Sequence, residues 1–580
     1  MKHVLRYWWG ALLLILVVMP VLAQEGPGPG EGGVIIEPNL GSDVATLNPL
    51  LSNDQASNDT INRMYIGLIG YDPATQIIQP GTKGALATSW DVSEDGLTYT
   101  FHLRDDMTWT DGTPITSADY KYGFDAIASG VVDTPLGYVL DVIESVEAPD
   151  PYTVVVNFHA ADCTAINNAG FVPIVPAHVF TEMFGDDFAA MNDSPYNIAP
   201  TVTSGVFSFG EFRPGEQVSV VANQNFPDTE LGYVAPAGWI YKNVPDETLM
   251  LEQFLAGELH YTKVTQARQA EFRELAETQG FQIYEYPDTG FTFIGLNAAD
   301  PTNPQNGLDE NGDPIDQGHH PLFGDVRVRQ ALTMALDMEA ILDGAANGEG
   351  TLMSTHANPT SWSYDSSIEP FVHDVDAALA LLAEAGWVDH DNDPSTPLIA
   401  QGAPYAEDGT EFRFELLTNA GNNVREAVGT IVQDQLAQIG IAVDFQAIDF
   451  NVLVDNFVGQ TYDAVILGWG FSFPDNPDDP SANFTPQNDI VGGGFNATSY
   501  NNPEVTRLLE EARTVPGCAP EDRAPLYAQV QQILHEEVPW IWLFQDNIMW
   551  VAQPNLQNWS PYPGHEEQVR WNLDAQYLTE

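Results

Sequence analysis

Residues 411–448 contain one unit that leaves few options for the fold. "EFRFELLT" alternates Phe412, Phe414 and Leu416 with Arg413 and Glu415, the period-two pattern of a half-buried strand. "NNVREAVGTIVQDQLAQIG" then places Val424, Val428, Ile431, Val432, Leu436 and Ile439 at helical spacing and closes on Gly440, where a helix takes a left-handed end. "IAVDFQAI" returns as a strand. Strand, helix and strand in this order make a right-handed crossover with parallel strands. The C-terminal third is therefore α/β.

The neighbouring segments extend that reading. "DVRVRQALTMALDMEAIL" opens a helix capped by Asp325, "DVDAALALLAEAGW" closes one at Gly386, and Asn502-Pro503 starts another with proline at its first position. The first third differs. "GLTYTFHLRDDMTWTDGTPITSADYKYGF" gives a strand with Tyr99, Phe101 and Leu103 on one face, a turn at Asp111-Gly112 and a helix capped by Ser117. "PYTVVVNF" adds a strand, so this segment is a smaller α+β region. No internal repeat of solenoid or propeller length occurs in the sequence. With 44% apolar and 11% aromatic residues among 580, the chain can fill about three domain cores.

The N-terminus indicates a compartment. Lys2 and Arg6 precede an apolar run to Val18 and the ending "VLA", which reads as a secretory signal over residues 1–23 cut after Ala23. The run is short for a bilayer span of about 20 residues. No cysteine stands near the cleavage site to carry a lipid, and "EGPGPGEGG" reads as part of a flexible tether over residues 24–32. The expected location is the periplasm or the outer face of the cytoplasmic membrane. A formal net charge of −63 argues against nucleic acid and anionic headgroups as partners, because the cations that would neutralise phosphates are scarce. Cys163 and Cys518 either form one disulfide in that oxidising compartment or remain two buried thiols.

Metal and catalytic patterns are weak. "DHDNDP", residues 389–394, spaces acids as a calcium loop does, but Pro394 stands where that loop needs glycine and Ala400 where it needs a glutamate. His319-His320 has no second cluster at ligand spacing, and "HEEVP" at His535 lacks the later histidine of a zinc protease. No metal and no cofactor is expected. The sequence holds no Gly-x-Ser-x-Gly elbow, phosphate loop or reactive-cysteine motif, and Asp105, Asp106 and Asp111 are explained by turn and capping chemistry. Composition alone leaves two other classes open. Acid pairs such as Asp478-Asp479 suit a secreted glycoside hydrolase, and the acidic charge suits a surface-layer protein.

A resemblance covers nearly the whole mature chain. "GGVIIEPNLGSDVATLNPLL", "LATSWDVSEDGLTYTFHLRDDMTWTDGTPITSADY", "TVTSGVFSFGEF", "FTFIGLN" with "PLFGDVRVRQALTMALD", and "LYAQVQQILHEEVPWIWLFQ" follow one another in an order that resembles the family 5 extracellular solute-binding proteins of ABC transporters, the peptide-binding group with its dipeptide, oligopeptide and nickel binders. The resemblance implies a two-lobed periplasmic-binding-protein type II fold with an extra α+β subdomain in lobe I. Lobe I would combine residues 33–69, 205–290 and 546–580, the extra subdomain residues 70–204, and lobe II residues 291–545. The chain would cross between lobes at 291–297 and 540–545. A monomer would close on a small solute, most simply an oligopeptide, with an oligosaccharide as the rival. It would hand the solute unchanged to the permease and ATPase subunits of an importer.

The resemblance also selects site residues. In the family the loop after the "GW" strand faces the cleft, which implicates Trp469, Phe471, Ser472, Phe473 and Asp475. Dipeptide and oligopeptide members usually carry an aspartate three residues after that tryptophan, pairing with the ligand ammonium. Here the position is Ser472, which supplies no charge, and Asp475 follows beyond the stiff Pro474. The loop where dipeptide binders carry an arginine reads "TNAGNN", with Arg425 already inside the helix. Both charge clamps for a free dipeptide are thus expected to be missing. Phe291 and Phe293 line the cleft or pack the crossing strand. Asn48 of the "LNP" turn and Ser204, Gly205 and Val206 of the loop similar to "GTGPY" complete the expected contacts.

Overall fold

The computed structural model describes residues 26–579 apart from 41–42, 186, 394, 473–475, 479 and 564–565. The expected signal segment, 1–23, lies outside the described residues.

A seven-stranded sheet runs from one half of the molecule into the other. Its path runs Tyr261–Val264, Trp540–Ala552, Gln282–Leu296, Ala464–Gly470, Arg413–Asn419 and Ala442–Ile448, with Gly350–Leu352 paired beside Trp540–Ala552. Arg413–Asn419 and Ala442–Ile448 are parallel, and the helix Asn423–Ala437 joins them, as the periodicity predicts. Gly440 reverses the chain at φ +75°, which only glycine adopts without strain. Asp325 and Asn502 cap their helices with side-chain oxygens. The helix Ser117–Ala128 corrects the sequence reading by one residue. Its cap is Thr116, whose N–H donates to Asp119 at 2.7 Å, because the capping box needs its acid three positions on.

The first third supplies two four-stranded sheets. One orders Val34–Leu40, Gly238–Val244, Gln217–Ala222 and Phe207–Arg213. The other is wholly antiparallel, Ala87–Val92, Thr98–Leu103, Thr153–Phe158 and Ile143–Asp150, and it buries Tyr99, Phe101 and Leu103 on one face as expected.

Gln282–Leu296 and Trp540–Ala552 connect the two halves. They pair antiparallel, and their register slips between Pro287 and Phe291. Before the slip Tyr286 and Ile548 pack with the first third. After it Phe291, Ile294, Trp540 and Phe544 pack with the C-terminal half. The stretches expected as crossings, 291–297 and 540–545, therefore lie almost wholly on the C-terminal side. The passage itself is Pro287 to Gly290 beside Gln545 to Asn547, a run without the large apolar side chains either core would hold.

The residues expected to form a free tether are docked from Pro27 onward. Gly30 and Gly32 donate their N–H groups to Val234 and Ala235 at 2.9 and 2.8 Å, and the Tyr233 hydroxyl donates to Pro27 at 2.8 Å. A Cβ on Gly32 would stand 2.7 Å from the Ala235 carbonyl oxygen, so the glycines permit this approach rather than only conferring freedom. Cys163 and Cys518 are joined as a disulfide.

Candidate functional site

The strand Ala464–Gly470 ends beside a narrow cavity of about 30 Å³. Trp469 stands opposite Phe291 in the ladder, and both line it. Phe471 closes over them: its ring stacks on Phe291 with centroids 5.0 Å apart, and its N–H donates to Thr289 at 2.8 Å, pinning the loop to the crossing segment. Trp540, Phe484 and Tyr527 supply further aromatic wall. Phe293, on the same face of its strand as Phe291, lies outside the lining and is fully buried, stacked on Trp540 at 3.7 Å, so it is core.

Among the described residues, the polar part of the wall carries no carboxylate, lysine or arginine. Asn358, Asn476, Asn483, Gln531, Ser361 and Ser363 line it with His356, whose imidazole burial pushes down to about 3, so it is neutral at neutral pH. Among the described residues, Asn483 Oδ1 and Trp540 Nε1 are buried without a hydrogen-bond partner. Such groups cost free energy unless something pairs with them.

Of the residues the sequence singled out, Trp469, Phe471 and Phe291 thus converge. Ser472 is exposed just beyond Phe471, and Phe473 and Asp475 lie outside the described residues. Gly205 and Val206 line a separate and broader concavity of about 730 Å³, formed by the N-terminal half, with Tyr65, Tyr138 and Phe171, together with Arg570 near the C-terminus. Asn48 and Ser204 are buried within that half. Asn48 Nδ2 donates to Asn197 at 3.0 Å, and Ser204 Oγ accepts from the Ile66 N–H at 3.1 Å. A Cβ on Gly205 would meet the Arg63 carbonyl oxygen at 2.5 Å, so this position holds the backbone close.

The sequence reading set Arg425 aside because it sits in the first helical turn. Its side chain nevertheless folds back onto the strand: Nη1 donates to Asn419 Oδ1 at 2.9 Å, and Nη2 lies 2.3 Å from where a Cβ on Gly468 would be. Gly468 therefore makes room for the guanidinium next to Trp469, a signal visible in the sequence only as a glycine inside a buried strand. The reading also missed His356 and Asn358, which stand in a loop without strand or helix periodicity, and Asn483, which stands in the helix Pro480–Phe484, too short to show a period.

Behind the cavity loop, Asp478 is buried with one carboxylate oxygen 3.3 Å from Arg513 Nε. Burial pushes its carboxyl up to about 7, against the pull of Arg513. A carboxyl raised above its unfolded value of 3.8 favours folding below that value, and the contribution is lost as pH rises through about 7. Asp478→Asn is expected to remove this part of the pH dependence. Urea midpoints compared between about pH 5 and pH 8 should fall less in the variant than in the parent chain; equal slopes would refute the assignment.

Two α/β bodies tied by paired long strands, with an aromatic cavity against the tie and an added antiparallel subdomain, form the frame of a solute carrier. The model of the bacterial extracellular solute-binding proteins, family 5 Middle, matches residues 81–490, and the chain belongs to that family. It is the solute-binding component of an ABC transporter, a part of the transport machinery and not an enzyme. The chain is 27% identical over 566 residues to the oligopeptide-binding protein AppA of Bacillus subtilis, covering 96% of this chain and 94% of that one. It is 24% identical to heme-binding protein A of Haemophilus influenzae over 511 residues, 85% of this chain and 83% of that one. Among solved structures it resembles AppA in complex with a nonapeptide, with TM-score 0.63 and 26% identity over 95% of this chain and 100% of that chain. HbpA2 from Haemophilus parasuis matches its fold with TM-score 0.74 at 21% identity, covering 91% and 97% of the two chains.

Proposed function

We propose that this protein captures oligopeptides in a cleft between two lobes and delivers them to the permease subunits of an ABC importer. The lobes follow the boundaries expected from the sequence, with residues 33–69, 205–290 and 546–580 and the subdomain 70–204 on one side and 291–545 on the other. The division of the cores at 287–290 and 545–547 supports this partition. Trp469, Phe471 and Phe291 take apolar side chains of the solute.

The observation that carries the peptide reading is a cavity wall that, among the described residues, holds no charged side chain, together with an unpaired acceptor, Asn483 Oδ1, and an unpaired donor, Trp540 Nε1. A peptide unit offers the matching N–H and C=O, and aromatic rings accept varied side chains. Such a wall binds internal peptide units and does not require a terminal charge. AppA, with its nonapeptide, is a related chain with a ligand of that kind.

Thermal unfolding of the mature protein with mixed-sequence nonapeptides tests the proposal. At about 100 times Kd a cognate peptide contributes about 2.7 kcal/mol of stabilisation, so the Tm should rise without the peptide being cleaved. N-terminal acetylation should change the affinity by less than about threefold, because a neutral Ser472 forfeits little when the ammonium is removed. Stabilisation by cello-oligosaccharides and not by peptides would overturn the peptide reading.

A further inference from the structure

The paired strands Gln282–Leu296 and Trp540–Ala552 are not the only covalent tie between the halves. Cys163 belongs to the antiparallel subdomain, just before the helix Ala165–Phe171. Cys518 belongs to the turn between the helices Pro503–Arg513 and Pro520–Glu537 of the C-terminal half. The disulfide joins them across 355 residues, with Cα atoms 5.3 Å apart. Two further contacts cross at the same place. The Cys163 N–H donates to the Arg513 carbonyl at 2.7 Å, and Arg513 Nε donates to Asp162 Oδ2 at 2.9 Å. The same guanidinium reaches Asp478, whose neighbours Asn476, Pro477 and Pro480 form part of the cavity wall.

We propose that Cys163–Cys518, backed by the Asp162–Arg513 pair, is a strap that limits how far the cleft opens. A body swinging only on two adjacent strands separates most at its far rim. A third covalent link between the subdomain and the C-terminal half holds that separation to whatever bending the turn 515–518 and the strands allow. The link is attached to the cavity loop through Arg513 and Asp478, so opening at the strap and exposure of the cavity are one movement. Cys163 is 4% exposed while Cys518 is partly exposed, which makes the Cys518 sulfur the accessible end. A dithiol reductant opens the strap. Its thiolate attacks Cys518 Sγ, Cys163 leaves as a thiolate and takes a proton, and the second reductant thiol displaces Cys518. The protein gains two electrons and two protons, and the reductant leaves as its own disulfide. The remaining Asp162–Arg513 pair then holds the rim through an ion pair that salt weakens.

Ligand-free mature protein provides the test, independent of which solute is carried. Small-angle scattering is compared for the oxidised chain, the dithiothreitol-reduced chain and Cys163→Ser/Cys518→Ser. The radius of gyration should rise by about 1 Å from about 25 Å on reduction and in the double variant, and rise further in high salt. Asp162→Asn should have no effect while the disulfide is intact and should mimic high salt once it is reduced. Nitroxides on bioorthogonal side chains at exposed Val131 and Val372 give a second reading, a broader and longer distance distribution after reduction. Unchanged size and distances in all forms would overturn the proposal. So would loss of far-ultraviolet circular dichroism on reduction, which would make the bond a folding staple. Neither outcome would touch the peptide reading, which rests on the cavity wall.

Discussion

Replacing Arg570 with methionine is expected to cost about 3–5 kcal/mol of folding stability, the typical penalty for leaving buried charge without its partner. Arg570 is 2% exposed and serves three carboxylates. Its Nη2 lies 2.6 Å from Glu37 Oε1, and its Nη1 lies 3.1 Å from Asp59 Oδ1 and 3.4 Å from Glu567 Oε1. Glu37 is on the first strand, Asp59 on the first helix and Arg570 near the C-terminus, so one guanidinium fastens both ends of the chain together. Glu37 also accepts from Trp239 Nε1 at 3.1 Å, and Asp59 from the Tyr241 hydroxyl at 2.7 Å. Burial already pushes the Asp59 carboxyl up to about 6 against the pull of Arg570. Without Arg570 that carboxyl rises further and is protonated over more of the pH range, so the variant should lose more stability near pH 8 than near pH 5. Arg570→Lys keeps the charge but not the planar fork and should fall between the two. Urea midpoints at the two pH values check this. A methionine variant within about 1 kcal/mol of the parent at pH 8 would mean that the network contributes nothing net.

Which of these features the sequence could disclose follows from how local their causes are. The crossover of residues 411–448 was readable because strand and helix periods and the Gly440 stop lie within one short stretch, and each is set by neighbours. The antiparallel subdomain was readable for the same reason, and the order of motifs carried the family. The crossing position was less so, because the split at 287–290 and 545–547 depends on which core claims each residue of two continuous strands. The Arg570 network was invisible. Its members, Glu37, Asp59, Glu567, Arg570 and Arg63, whose Nη2 lies 2.7 Å from Glu567 Oε2, are single charges in a chain that carries many acids, and only the folded chain puts them side by side. At the cavity, Trp469 and Phe471 were legible from the strand end and the aromatic loop. Asn483 and His356 were not, since the five-residue helix Pro480–Phe484 is too short to show a period and the loop around His356 has none. The glycines of residues 26–32 misled in the opposite direction, because a composition that allows freedom equally allows close backbone docking.

Trp469→Ala is expected to weaken peptide binding by about 30-fold or more, the loss typical of truncating an aromatic anchor worth about 2 kcal/mol. The indole is partly exposed at the end of its strand, 5.2 Å from Phe495 on one side and 6.2 Å from Trp540 on the other. Phe495 is itself 50% exposed, so these rings form an apolar rim that a solute can cover. Because Trp469 is not fully packed, its removal leaves a shallow gap rather than a sealed cavity, and stability should fall by less than about 2 kcal/mol. Phe293→Ala is the informative contrast. Phe293 is fully buried on Trp540, so its loss should cost about 3–5 kcal/mol of stability, and it should affect binding only by disturbing the Trp540 behind the cavity. Isothermal titration of a nonapeptide selected by thermal shift, together with urea unfolding, separates affinity from stability for the two variants. If Trp469→Ala binds as tightly as the parent while Phe293→Ala does not, the aromatic wall is structural and the solute is held elsewhere, with the concavity around Gly205 and Val206 as the next surface to mutate.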